Sequence, residues 1–260
     1  MNLLLVLTQF LYRLSAGLAG AMALTDPRKV TSGFYRNHLY VTLGLNVLAA
    51  LVAWNSDPDG ALYGSRWMAT VGATLSYVGA ICWLYEAAGA GRALLLGVTV
   101  VNAIGAVQTG RTFDAETALS TWRSLAWQID PLLAAWLLGA VFTAMLLGHW
   151  YLNTPGMELA PLRRLLILGA IGCGLRGVVW LACLAAEWSA AGGVPPGWPF
   201  WVLHGGAGIF GTLGVLAMTW ETLKIPNTQS ATGILYVGVI LTFLGETAGQ
   251  LISQETLWPL

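Results

Sequence analysis

The chain has 260 residues, 57% hydrophobic and only 9% charged, with a formal net charge of zero. Soluble domains carry roughly 25% charge, so the composition excludes an ordinary soluble enzyme, and without a basic excess no face is offered to nucleic acid. Apolar runs of about 20 residues, long enough to cross a hydrocarbon core of roughly 30 Å, predict an all-α, polytopic membrane helix bundle of about eight transmembrane helices. They fill one integral membrane domain over residues 1–260.

The first predicted span, 2–24, has "AMA" at 21–23, which resembles a signal-peptidase site. It lacks a basic n-region and is interrupted by Arg13, so a retained helix is expected. Spans 34–54, 64–87 and 92–109 follow, with His38 about one turn into the second and "ICWLYE" closing the third. In the long connection 109–130, Trp122 and Trp127 predict a short helix lying at the membrane interface. The fifth span, 131–153, carries His149 about one turn from its end, and Pro155-Gly156 stops it. Pro161 suits the first turn of the sixth span, 161–187, which holds Arg176. The seventh, 199–223, opens "WVLHGGAG" with His204 about five residues in and closes on "LAMTWE". That echo of the third span points to two four-helix halves related as a parallel repeat. Asn227 or Thr228 is the expected cap of the last span, 230–253.

Lys and Arg sort by loop. Arg28, Lys29, Arg36, Arg92, Arg163, Arg164 and Lys224 flank one side; Arg66, Arg111 and Arg123 flank the other, diluted by Asp57, Asp59, Asp114, Glu116, Asp130, Glu187 and Glu255. By the positive-inside rule both termini are expected outside. Trp54, Trp67, Trp150, Tyr151, Trp188, Trp198, Trp201, Trp220 and Trp258 fall at span ends and read as interfacial belts. Cys82, Cys173 and Cys183 lie within spans without C-x-x-C spacing, as buried small side chains would.

Polar groups at hydrocarbon depth are costly and face the bundle interior. Two layers emerge. In the outer half stand Gln9, His204, Glu246 and Gln250, with Arg13 and Arg176 deeper and Glu246 the one carboxylate placed to neutralise either. Imidazole, carboxylate and amide around a slot suit a quinone, one group donating to a carbonyl while another takes a hydroquinone proton; Gln9, Arg13, His204 and Glu246 are the candidates. The competing reading is a hydrogen-bond network that only ties helices together. In the inner layer His38 and His149 share a depth, with Arg36, Arg163 and Arg164 nearby. They are candidate axial ligands for haem b, or two interfacial histidines bonded to loop carbonyls.

Two stretches carry a family resemblance. "LTFLGETAGQLIS" at 241–253 and "TQFLYRLSAGLAGAMAL" at 8–24 are similar to the last and first helices of the DMSO reductase anchor and polysulfide reductase membrane subunit type. Gln9, Gly17, Gly245, Glu246 and Gly249 match; Gln250 stands where that family has arginine, and its aromatic extension after the last helix is missing. The resemblance covers under a fifth of the chain. It implies a quinone site on the outer side, exchanging electrons with a partner subunit's iron–sulfur clusters.

The leading expectation is therefore a membrane subunit of a respiratory or photosynthetic electron-transfer complex. It would sit in the bacterial inner membrane or an equivalent energy-transducing membrane, in contact with lipid, quinone and other subunits of the complex. A non-catalytic scaffold, a haem-b conduit and a small-solute transporter are the alternatives. The transporter is disfavoured because no span has Pro near its middle.

Overall fold

The computed structural model describes residues 3–55, 63–111, 121–154, 156–225, 227–256 and 258–260. Among the described residues there are eight helices long and apolar enough to cross a membrane. They are α1 (Leu3–Leu24), α2 (Ser32–Asn55), α3 (Tyr63–Leu84), α4 (Ala88–Arg111), α5 (Thr121–Asn153), α6 (Ala160–Ala191), α7 (Trp198–Thr222) and α8 (Thr228–Ile252). At 1.5 Å per residue the 22 residues of α1 reach about 33 Å.

Packing divides them into two rings. α1 to α4 each touch their chain neighbour and α1 closes on α4; α5 to α8 repeat the arrangement, with α5 closing on α8. The expected four-helix halves are therefore present. The echo between "ICWLYE" and "LAMTWE" does not extend to their surroundings: Trp83 is buried and stacked on Tyr35, whereas Trp220 is partly exposed.

The halves meet mainly where α1 crosses α5. A Cβ on Gly17 would land on the Ala135 carbonyl oxygen, and one on Gly139 would land on Gly17. Without side chains at that point the backbones touch, the usual device where lipid offers no hydrophobic drive for association. A large apolar core runs through both halves, from Leu18, Met22, Phe34 and Leu39 to Val141, Leu165, Leu216 and Leu235.

The helix ends follow local chemistry. The Asn227 side chain accepts the Ser230 N–H at 2.9 Å and caps α8. Gly192 takes φ +64° at the end of α6, where a left-handed residue favours glycine. Pro161 falls in the first turn of α6, as expected, while Pro155 lies outside the described residues. In the loops at one end of the bundle Lys29 binds Glu158 at 2.7 Å, and that carboxylate raises the ammonium above its ordinary value. Both groups are exposed, so the pair ties the loops only lightly.

Two expectations are corrected. Among the described residues no separate interfacial helix precedes the fifth span, because α5 runs continuously from Thr121 and buries Trp127; 112–120 lie outside the described residues. Asp-Pro is a natural helix start, Asp as cap and Pro in the first turn, but here Pro131 lies inside the helix. Asp130 is accordingly not a loop residue; it is 2% exposed within the bundle. The aromatic belt also loses members, since Trp201, Trp258 and Tyr151 are buried while Trp54, Trp67, Trp188, Trp198 and Trp220 remain exposed. Asp57, Asp59, Asp114 and Glu116, which weigh in the orientation, lie outside the described residues.

Candidate functional site

Four charged side chains from four helices meet inside the membrane-spanning bundle. Arg13 of α1, Asp130 of α5, Arg176 of α6 and Glu246 of α8 are each no more than 4% exposed. Arg13 Nη1 lies 3.1 Å from Asp130 Oδ2 and hydrogen-bonds Glu246 Oε1; Arg176 lies 3.0 Å from Asp130 Oδ1 and 3.3 Å from Glu246 Oε2. Each carboxylate thus bridges both guanidiniums, and the four groups close a ring of alternating sign with no net charge. An isolated ion at this depth would be expensive, so mutual neutralisation is the condition of its being there. The sequence reading supplied Glu246 as the one available carboxylate; Asp130 is the second.

His204 docks on this ring. Its Nε2 is 3.4 Å from Arg176 Nη2, and its Nδ1 is 2.7 Å from the Gly245 carbonyl oxygen. A guanidinium can only donate, so Nε2 accepts and Nδ1 carries the proton given to Gly245. The imidazole is neutral in this arrangement and both its nitrogens are engaged.

The glycines beside His204 explain how it gets there. The middle of α7, Leu203–Gly211, is a π-helix, a rare form associated with functional sites. A Cβ on Gly208 would strike Gly245, and one on Gly205 would strike the Trp180 ring. Across from it, a Cβ on Gly249 would come within 2.6 Å of His204 Nδ1. "HGGAG" and "GETAG" are the two faces of one crossing, close enough for an imidazole to reach the opposite backbone.

One turn from the ring, toward the chain termini, the polar layer is less complete. Gln250 Nε2 donates to Glu246 Oε1 at 2.9 Å, but Gln250 Oε1 is buried without a partner, as are Gln9 Nε2 and Arg13 Nε. Arg13 and Glu246 thus meet directly and His204 joins them through Arg176, while Gln9 and Gln250 stand four residues along their helices from Arg13 and Glu246, the Gln9 amide lying beside Gly110 of α4. Asp130 is the member that sequence reading missed. Its signal was an acid embedded in an otherwise apolar stretch, "LAWQIDPLLAAW".

The other two histidines, His38 and His149, lie near enough to interact electrostatically but differ in setting. His38 is buried, its Nδ1 2.7 Å from the Phe34 carbonyl oxygen, with the Trp150 ring 6.1 Å from its own. His149 is exposed. Trp150, bonded through Nε1 to Thr31, is what α5 turns toward α2 at this level. Among the described residues no group of three or more His, Cys, Asp or Glu is placed to hold a metal ion.

Fold and site together define a polytopic helical membrane protein, two four-helix halves joined across a buried ring of four charges. No protein-family model, curated protein or solved structure matches the chain.

Proposed function

We propose that the protein is an integral subunit of a respiratory or photosynthetic electron-transfer complex, exchanging protons with membrane quinone beside the charged ring. Its setting is the bacterial inner membrane or an equivalent energy-transducing membrane, with both termini outside, as the loop charges imply. The observation that carries this reading is that each of two helices leaves a buried open valence four residues from its ring member, the Gln9 Nε2 donor beside Gly110 and the Gln250 Oε1 acceptor. A quinone carbonyl needs a donor and a hydroquinone hydroxyl needs an acceptor, with a carboxylate close by to take the proton. Glu246, already bonded to Gln250, is that carboxylate. The electrons pass to or from a redox centre on a partner subunit, in keeping with the anchor resemblance of the first and last helices.

The test compares two variants in the complex purified from its own membrane. Gln250→Leu leaves every charge in place, and Glu246→Gln keeps the shape of the carboxylate while removing its charge. Quinol turnover per assembled complex is expected to fall tenfold or more in both, in line with the roughly 10²–10⁴ contributed by an acid–base group; subunit content should be unchanged in Gln250→Leu and lower in Glu246→Gln, which strands a guanidinium.

A specific observation favours a second reading, a non-catalytic scaffold. Every charge in the ring is paired internally and His204 has no free nitrogen. Assembled variants that turn over quinol at the normal rate would establish it.

A further inference from the structure

Beside the ring, between α6 and the first half of α7, lies a slot of about 690 Å³ walled by Trp180, Trp188, Trp198, Trp201 and Phe210. Its two sides differ. Trp188, Trp198 and Phe210 are half-exposed on the outside of the bundle, where lipid would be, whereas Trp201 is 1% exposed and closes the deep end. Trp201 packs in one cluster with Ile252, Trp258 and Leu260. Gly249, one residue before Gln250, sits under His204 and against Leu260. Trp180, a wall of the slot, packs against Gly205, the residue after His204.

We infer that this slot is the lateral port for a membrane quinone, holding its ring between indoles on the way to Gln250 and Glu246. The inference rests on the quinone reading and adds where the ligand comes from. Two observations fit a quinone. Flat aromatic walls suit a flat ring better than a flexible acyl chain, since a ring stacks on or edges against indoles at about 4.5–7 Å between centroids. The volume falls within the roughly 300–1,000 Å³ of small-molecule pockets.

Gly206 makes the port testable. It lines the slot, and a Cβ placed on it meets nothing within 4 Å, so a larger side chain there starts into open space beside the cavity. Gly214, on the same helix and equally open, is the control. The full-length protein in vesicles is titrated with a short-chain benzoquinone, following quenching of tryptophan fluorescence. An azidoquinone is cross-linked in parallel and mapped by mass spectrometry. Wild type and Gly214→Leu are expected to bind alike, Gly206→Leu at least tenfold more weakly, and the cross-links to fall within 180–188 and 198–210. Trp198→Ala, at an exposed wall position, is expected to weaken binding without touching the interior. Equal binding by wild type and Gly206→Leu, with cross-links elsewhere, overturns the port and leaves the quinone reading standing. No binding by wild type, with lipids brominated in the acyl chain quenching the slot's indoles instead, overturns both.

Discussion

Asp130 faces Arg13 across the seam between the two halves, carboxylate to guanidinium at 3.1 Å, with neither side chain more than 2% exposed. The seam is therefore held twice, by glycines that let α1 and α5 touch and by an ion pair that crosses beside them. The same Asp130 also binds Arg176 within its own half, so its loss reaches both.

Asp130→Asn is expected to destabilise the protein by roughly 3–5 kcal/mol, the usual cost of stranding a buried charge. It leaves two guanidiniums facing one carboxylate. Arg13→Leu combined with Asp130→Leu restores neutrality, and the double variant should be more stable than either single one. Unfolding in mixed micelles measures all four corners of the cycle; additive losses would show that the pair does not act as a unit.

The glycine crossing gives a sharper contrast. Gly208→Ala places a methyl group on the Gly245 backbone, whereas Gly206→Ala points one into open space. The first should cost about 1–3 kcal/mol by overpacking, and the second should lie within roughly 0.5 kcal/mol of wild type. Because His204 reaches Gly245 only while the backbones touch, Gly208→Ala should also blunt the effect of a second substitution at His204, the two losses being less than additive.

Orientation is checked in a variant with all three cysteines replaced by serine. Gly193→Cys, after α6, should react with a membrane-impermeant maleimide added outside intact cells, and Gly89→Cys, in the first turn of α4, should not. Both sites have room for the new side chain. Reversal of the pattern would put the polar site at the opposite membrane face.

An optical spectrum tests the inner histidines. With His38 turned toward Trp150 and His149 exposed, the purified protein is expected to show no Soret band. A band lost on either His38→Ala or His149→Ala would instead show that the two histidines hold a haem.

What was legible in the sequence follows from what each pattern senses. Eight spans, the Asn227 cap and the joint burial of Gln9, Arg13, His204 and Glu246 could be read, because a polar residue deep in an apolar run has only one place to turn. Asp130 was hidden by Pro131, since the dipeptide has the same appearance at the start of a helix as within one. The π segment was illegible for another reason. Its i→i+5 bonds leave no periodicity distinct from glycine-rich helix, and what sustains it is contact with Trp180 and Gly245, both distant in sequence. The ring itself depends on how α1 crosses to the second half, which no local pattern encodes.

The four charges also impose an order on biogenesis. They are spread over positions 13, 130, 176 and 246, so the ribosome delivers Arg13 in the first helix more than a hundred residues before any of its partners. A lone arginine at the centre of an inserting helix carries a penalty of roughly 2.5–3.5 kcal/mol on translocon scales. Until α5 arrives that helix lacks its counter-ion, and until α8 arrives the ring stays open by one carboxylate. Chains stalled after α4 would thus display an unneutralised cation inside the bilayer, a mark by which membrane quality control can tell a half-made protein from a finished one.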